Sequence, residues 1–175
     1  MPIHLEELDV TSKVAGLDSA LITACNMCAG ASLAMNENKP FLEFFKSRFK
    51  SPPLERYIGR LQSELSKNGI RSAKFQGGVI QQFFLCLWTS RQRTKLKEIA
   101  KQYDAVIVLG CKSAVETVNE TLQAMNCKVI KGMEVAGIMN TKTRFHWPFD
   151  ISFEYSKVIP MCDHHCEKFS HQSQH

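Results

Sequence analysis

Four cysteines stand where the chain could do chemistry: Cys25 and Cys28 in the run Cys25-Asn-Met-Cys28, then Cys86 and Cys111, each alone. Two intervening residues let a chain curl back with both sulfurs on one side, so a CxxC grips one metal ion or two irons of a cluster. Taken alone, a CxxC also reads as a redox dithiol, but that reading leaves the later cysteines without a purpose. With Cys86 and Cys111 the set becomes four thiolates, which suits tetrahedral zinc or a 4Fe-4S cluster and excludes magnesium and calcium. The competing reading makes Cys86 and Cys111 small buried hydrophobes, a common fate of free cysteine. Cys127, at the start of an apolar run, reads as a core residue.

The tail is a second place where ligating residues gather. Cys162-Asp-His164-His165-Cys166, with His171 and His175, puts four of the six histidines and two of the seven cysteines into the last fourteen residues. A Cys-x3-Cys enclosing two histidines can seize a transition metal, and Cys162, His164, His165 and Cys166 form a candidate second site. Against it, the segment has almost no apolar content to fix its geometry, so a site there bears the full ordering entropy.

Composition limits the possibilities. At 175 residues and 44% hydrophobic content, the chain is the size of one soluble domain with a real core. Seven cysteines is an odd number, there is no signal-like N-terminus, and a chain of this length needs no staples, so disulfides are the poorer explanation. No apolar stretch approaches the roughly 20 residues of a membrane helix, and a cytoplasmic protein is expected. The net charge of +5 rests partly on Lys and Arg in Lys46–Arg60 and Arg91–Lys101, where apolar residues recur at helical spacing. These segments read as solvated helix faces first, a docking surface for an acidic partner second, and a nucleic-acid site a distant third.

The elements that must position the thiols follow from periodicity. Ala20–Ala24 is a short β-prone run ending in Cys25, and Ala29-Gly30-Ala31-Ser32 opens a helix, giving strand, loop and helix around the CxxC. Asn36–Pro53 reads as an insertion whose Phe41, Phe44, Phe45 and Phe49 must bury somewhere, as a roof over the site or as an extra helix on the sheet. Pro52-Pro53 starts a helix with Leu54, Tyr57, Ile58, Leu61 and Leu65 on one stripe, stopped by Asn68-Gly69. Ile70–Leu85 is β-rich but broken by Gly77-Gly78, and it leads to Cys86-Leu-Trp88. Thr89-Ser90 caps a basic helix reaching about Tyr103. Asp104–Gly110 is a strand ending in Cys111, and Ser113 is placed to cap the helix bearing Val115, Val118, Leu122 and Met125. Cys127–Ile130 is a further strand, with mixed β and loop to Pro160.

Strands alternating with amphipathic helices predict an α/β fold with a parallel sheet flanked by helices, flavodoxin-like or Rossmann-like in three layers. Such sheets bind ligands at the carboxyl ends of their strands, and all four cysteines lie there. The predicted organisation is one metal-binding domain over residues 1–160 with the insertion 36–53, followed by a Cys/His-rich tail over 161–175.

The ordered set Ala24-Cys25-Asn-Met-Cys28-Ala-Gly30, Leu61–Gly69, Cys86-Leu-Trp88 and Asp104–Gly110-Cys111-Lys-Ser-Ala-Val115-Glu-Thr117-Val118 resembles the C-terminal-type domain of methylenetetrahydrofolate reductases. That domain also occurs as a small cysteine-rich subunit beside the flavoprotein in anaerobes. The match spans roughly residues 20 to 140, and its most specific pieces are the Cys-x-Trp step and the strand, Cys, Val-x-Thr-Val sequence. It departs from the pattern in Ala29-Gly30-Ala31, where the family carries Gly-Gly, and in the Phe-rich insertion and the Cys/His tail. The resemblance implies that Cys25, Cys28, Cys86 and Cys111 ligate a cluster. It also implies an accessory or electron-transfer protein of one-carbon metabolism, partnered by a flavoprotein reductase or a corrinoid methyltransfer protein.

From the residues themselves, no nucleotide-phosphate motif, paired carboxylates or activated nucleophile is legible, and a four-thiolate centre has no open position for Lewis-acid catalysis. A non-catalytic subunit, which could also pair with a second copy of itself, is therefore expected. A zinc-binding interaction module, or a methyltransfer enzyme using a metal-bound thiolate or a corrinoid, are the alternatives.

Overall fold

The structure is a computed structural model that describes residues 3–43, 50–76, 83–147 and 150–161. Among the described residues, eight strands and four α-helices are arranged around two sheets. A parallel sheet of order β4-β2-β5-β6 is built from β2 (Ser19–Ala24), β4 (Arg71–Lys74), β5 (Ala105–Leu109) and β6 (Lys128–Lys131). An antiparallel sheet of order β1-β7-β8-β3 is built from β1 (Ile3–Glu7), β3 (Leu42–Glu43), β7 (Met133–His146) and β8 (Asp150–Pro160). The mixed α/β class and the parallel sheet are as the sequence predicts, and the second sheet is an addition to it.

The two central strands explain themselves. Ala105–Leu109 is a continuous apolar, β-branched run with every residue buried, and β2 is buried along nearly its whole length, as befits strands covered on both faces. The flanking β4 and β6 are polar and partly exposed, which suits sheet edges. Helix α2 (Pro52–Lys67) buries the predicted stripe Leu54, Tyr57, Ile58, Leu61 and Leu65, and packs against α1 (Cys28–Glu37) and β4. Helix α3 (Ser90–Ala100) opens on a capping box in which Thr89 and Gln92 satisfy each other's backbone N–H groups, and it packs against α4 (Lys112–Leu122).

Helix α1 has no amphipathic stripe because it lies between both sheets. Ala29 and Leu33 belong to the main core, whereas Ala31 and Ala34 join Phe41, Leu42 and Met139 in a second core under the antiparallel sheet. Small residues permit this close packing: a Cβ on Gly30 would meet Ser51 Cβ at 2.9 Å. At the bulge between His4 and Leu5, the Leu5 N–H donates to Ser32 Oγ at 2.8 Å, tying β1 to α1.

Several sequence expectations shift. The basic helix ends at Ala100, the strand predicted over Cys127–Ile130 runs from Lys128 to Lys131, and the cap position of α4 is Cys111 itself. The stretch to Pro160 holds two long paired strands, because Ile151 and Phe153 alternate with Ser152 and Glu154 in the period of a half-buried strand. Within the insertion 36–53, Asn36 and Glu37 end α1, Pro52 and Pro53 begin α2, and Phe41 is buried with its ring stacked on Phe153 at 5.2 Å. Phe44, Phe45 and Phe49 lie outside the described residues. So does the tail from residue 162 onward, with the candidate second site Cys162, His164, His165 and Cys166. Among the described residues, no helix is long and apolar enough to cross a membrane.

Candidate metal centre

In the order β4-β2-β5-β6, the chain leaves β2 towards β4 and leaves β5 towards β6, so the two central strands part company at their carboxyl ends. A crevice forms where connections diverge in this way. Cys25 follows β2 and Cys111 lies just beyond β5; the Cys25 N–H extends the ladder by donating to the Leu109 carbonyl at 2.8 Å. Between them sits Gly110, where a Cβ would meet Ala114 Cβ at 2.8 Å and Cys25 Cβ at 3.4 Å. Glycine at that position lets the CxxC loop and the head of α4 approach each other.

The third thiol arrives on a different device. Residues Leu85–Leu87 form a 3-10 turn closed by the Leu87 N–H on the Phe84 carbonyl. Leu85 is fully buried beneath it, and Trp88 packs on Phe75 with centroids 5.3 Å apart. The Phe83 carbonyl fastens this turn to the CxxC loop, accepting the Met27 N–H at 3.3 Å and lying 3.2 Å from Cys25 Sγ, whose thiol donates to it.

Cys25, Cys28, Cys86 and Cys111 therefore line one cleft of about 790 Å³, whose opposite wall comes from the antiparallel sheet through Met139, Ile151 and Phe153. Cys25 and Cys111 are buried, while Cys28 and Cys86 are half-buried. Among its described lining residues there is no charged side chain; Ser113, Asn140, Thr141 and Thr143 supply the polar groups. Ile151 and Phe153 of this wall escaped the sequence reading, although the period-two alternation over 150–155 was the signal that could have revealed them.

The thiols act on one another. Hydrogen bonding with Cys111 first and Cys25 second, followed by burial, drives the pKa of Cys28 far up. The same bond from Cys28 lowers Cys111 to about 5, against the opposing effect of burial and with help from the Ala114 and Ser113 N–H groups at the head of α4. Cys25 is lowered too, first by the Cys28 thiol and then, against burial, by the N–H groups of Cys28 and Leu85. Burial raises Cys86, and the sulfurs of Cys25 and Cys111 raise it further, which places it within their electrostatic reach. Among the described residues, no three His, Cys, Asp or Glu groups already meet as a closed metal site; the four sulfurs share a cleft.

The donor set fits a soft metal or cluster, being four thiols, two of them poised to ionise below neutrality. Asn26 within the CxxC is buried with Nδ2 unpartnered, a donor of the kind that sulfur-rich centres use. Cys127 raises its pKa through burial and, secondarily, Asp104, and it is not among the cleft's lining residues.

These shifts dictate a pH profile for the metal-free, reduced protein. Cys25 and Cys111 are depressed below an ordinary thiol value of about 8.5, so their contribution is present above that value and is lost as pH falls towards about 5. Cys28 is raised, so its contribution is present below about 8.5 and is lost as pH climbs beyond. The urea midpoint should rise between roughly pH 5 and 8.5 and then decline. A midpoint that is flat across that range would mean that the three thiols do not share protons.

Compared with known proteins, the chain matches no family model, no curated protein and no solved structure.

Proposed function

We propose that this protein holds a 4Fe-4S cluster on Cys25, Cys28, Cys86 and Cys111 and serves as an accessory or electron-transfer protein of one-carbon metabolism. The observation that carries the reading is the meeting, in one cleft, of four thiols from three separate stretches of chain. Two come from the carboxyl ends of the central strands, where a doubly wound, flavodoxin-like arrangement puts its ligand site. We extend the parallel sheet to that three-layer arrangement on its strand order and on the pairing of α1 with α2 and of α3 with α4. The link to a methylenetetrahydrofolate reductase or a corrinoid methyltransfer protein rests on the sequence resemblance.

When bound, such a cluster supplies one-electron chemistry, with its potential set by burial and by hydrogen bonds to sulfur. The chain's own part is to hold thiolates. The backbone N–H groups at the heads of α1 and α4 stabilise the sulfurs of Cys25 and Cys111, and Leu85 and the Trp88–Phe75 pair hold the Cys86 turn over the cleft. Met139, Ile151 and Phe153 limit water on the far side.

A zinc site is the second reading, since the same four thiols lining one cleft also suit a single tetrahedral ion. Colour separates the two. Protein purified without oxygen should be brown, with a broad band at about 400 nm and about four irons per chain. Colourless protein carrying one equivalent of zinc would replace the cluster by the structural ion.

A further inference from the structure

Two exposed large apolar side chains flank Cys86 in its turn: Phe84, which is 41% exposed and lines the thiol cleft, and Leu87, which is 73% exposed. The Cys86 turn is built to do this: Leu85 points into the core while Leu87 points out, with the half-buried Cys86 between them. Leaving a leucine in water forgoes a burial that other surfaces would reward.

Charge beside that turn is lopsided. Helix α3 begins three residues after Leu87 and carries Arg91, Arg93, Lys95 and Lys97 against a single acid, Glu98. Leu96 and Ala100 bury its inner face, and Arg91, Lys95 and Lys97 are exposed. Arg93 pairs with Glu120, and Lys95 reaches the Gln76 carbonyl. Its first turn has no acidic residue and two arginines, the reverse of what the helix dipole favours. Arg91 gains nothing from the helix dipole and stands exposed to solution, while Arg93 is offset by Glu120.

We infer that Phe84, Leu87 and the exposed cations of α3 form the docking surface for a small acidic electron-transfer protein, seated over Cys86. This rests on the iron–sulfur reading. The apolar pair supplies the dry centre of the contact and the basic helix its steering rim. One electron passes from the partner's reduced centre to the thiolate-held cluster; the partner is oxidised, the cluster is reduced, and no bond forms or breaks.

The test uses the full chain after its iron content has been established. A reduced plant-type [2Fe-2S] ferredoxin, which is acidic, serves as the probe, and photoreduced deazaflavin serves as a small control reductant. In stopped flow, the second-order rate with ferredoxin should fall by about tenfold or more between low and physiological salt. Arg91→Glu with Lys97→Glu should lower it by about tenfold at low salt. Leu87→Ser should weaken the complex by several fold, and all variants should react with deazaflavin at the parent rate. A rate indifferent to salt, or variants reduced by ferredoxin as fast as the parent, overturns the docking surface and leaves the cluster standing. Iron-free protein overturns the cluster, and the electron-transfer surface with it.

Discussion

If the proposed centre is present, serine in place of Cys25, Cys28, Cys86 or Cys111 is expected to lower metal occupancy by about tenfold or more and to remove much of the thermal stability. The magnitude follows from linkage: a structural metal held by thiolates contributes about 10–16 kcal/mol of apparent binding free energy, and that energy is folding energy. A three-thiolate remnant keeps only part of it. Cys111 and Cys25 should be the most damaging sites, because each sits buried beside a helix N-terminus that prefers a sulfur anion. Cys127→Ser is the control, since it lies outside the cleft lining and should leave metal content at the parent level. Metal per chain by mass spectrometry and the melting temperature decide the matter. Full metal content in Cys86→Ser would take that residue out of the centre and leave three ligands, too few for a closed site.

Trp88→Ala is expected to cost about 3–5 kcal/mol, the range for deleting a buried aromatic. Trp88 is only 8% exposed, packs on Phe75 and belongs to the main core. Its removal undermines the Cys86 turn more than the sheet, because Leu85 and Trp88 are the two side chains that anchor that turn from below. The urea midpoint should drop, and in the metal-free protein Cys86 should be alkylated faster while Cys25 and Cys111 stay protected in their strand-end loops. Equal acceleration at all three would show a global loosening and refute the idea that Trp88 governs the turn.

Much of this arrangement was legible in the residues because local signals and tertiary placement agree. The run Ala105–Leu109 cannot be satisfied anywhere but inside a sheet, the α2 stripe repeats at helical period, and Thr89 with Gln92 spells out a capped start. Cys25 and Cys111 could be placed because parallel strands deliver their carboxyl ends to one edge, whereas Cys86, expected at a third strand end, reaches the cleft on a 3-10 turn. The second sheet was harder to foresee. Its strands pair over long sequence separations, β1 with β7 and β3 with β8, and nothing in the five residues Ile3–Glu7 names a partner more than a hundred positions away. Phe41 illustrates the same limit: its apolar side chain announced burial, whereas the stacking partner Phe153 emerged only from the fold. Helix α1 was legible at its start, but not in which way it faces, since a segment buried on both sides shows no amphipathic pattern.

The bond from the Cys25 N–H to the Leu109 carbonyl has a meaning for biosynthesis. The first pair of thiols leaves the ribosome before the strand that fixes their position, β5, which is made only after a long intervening stretch has emerged. Parallel pairing of this kind closes late, because the loop entropy must be met before the contacts form. Until then Cys25 and Cys28 are an unguarded dithiol on a nascent chain, open to oxidation and to adventitious ions. A cell making this protein therefore has reason to keep its thiols reduced throughout translation and, on the proposed cluster reading, to deliver the metal after release.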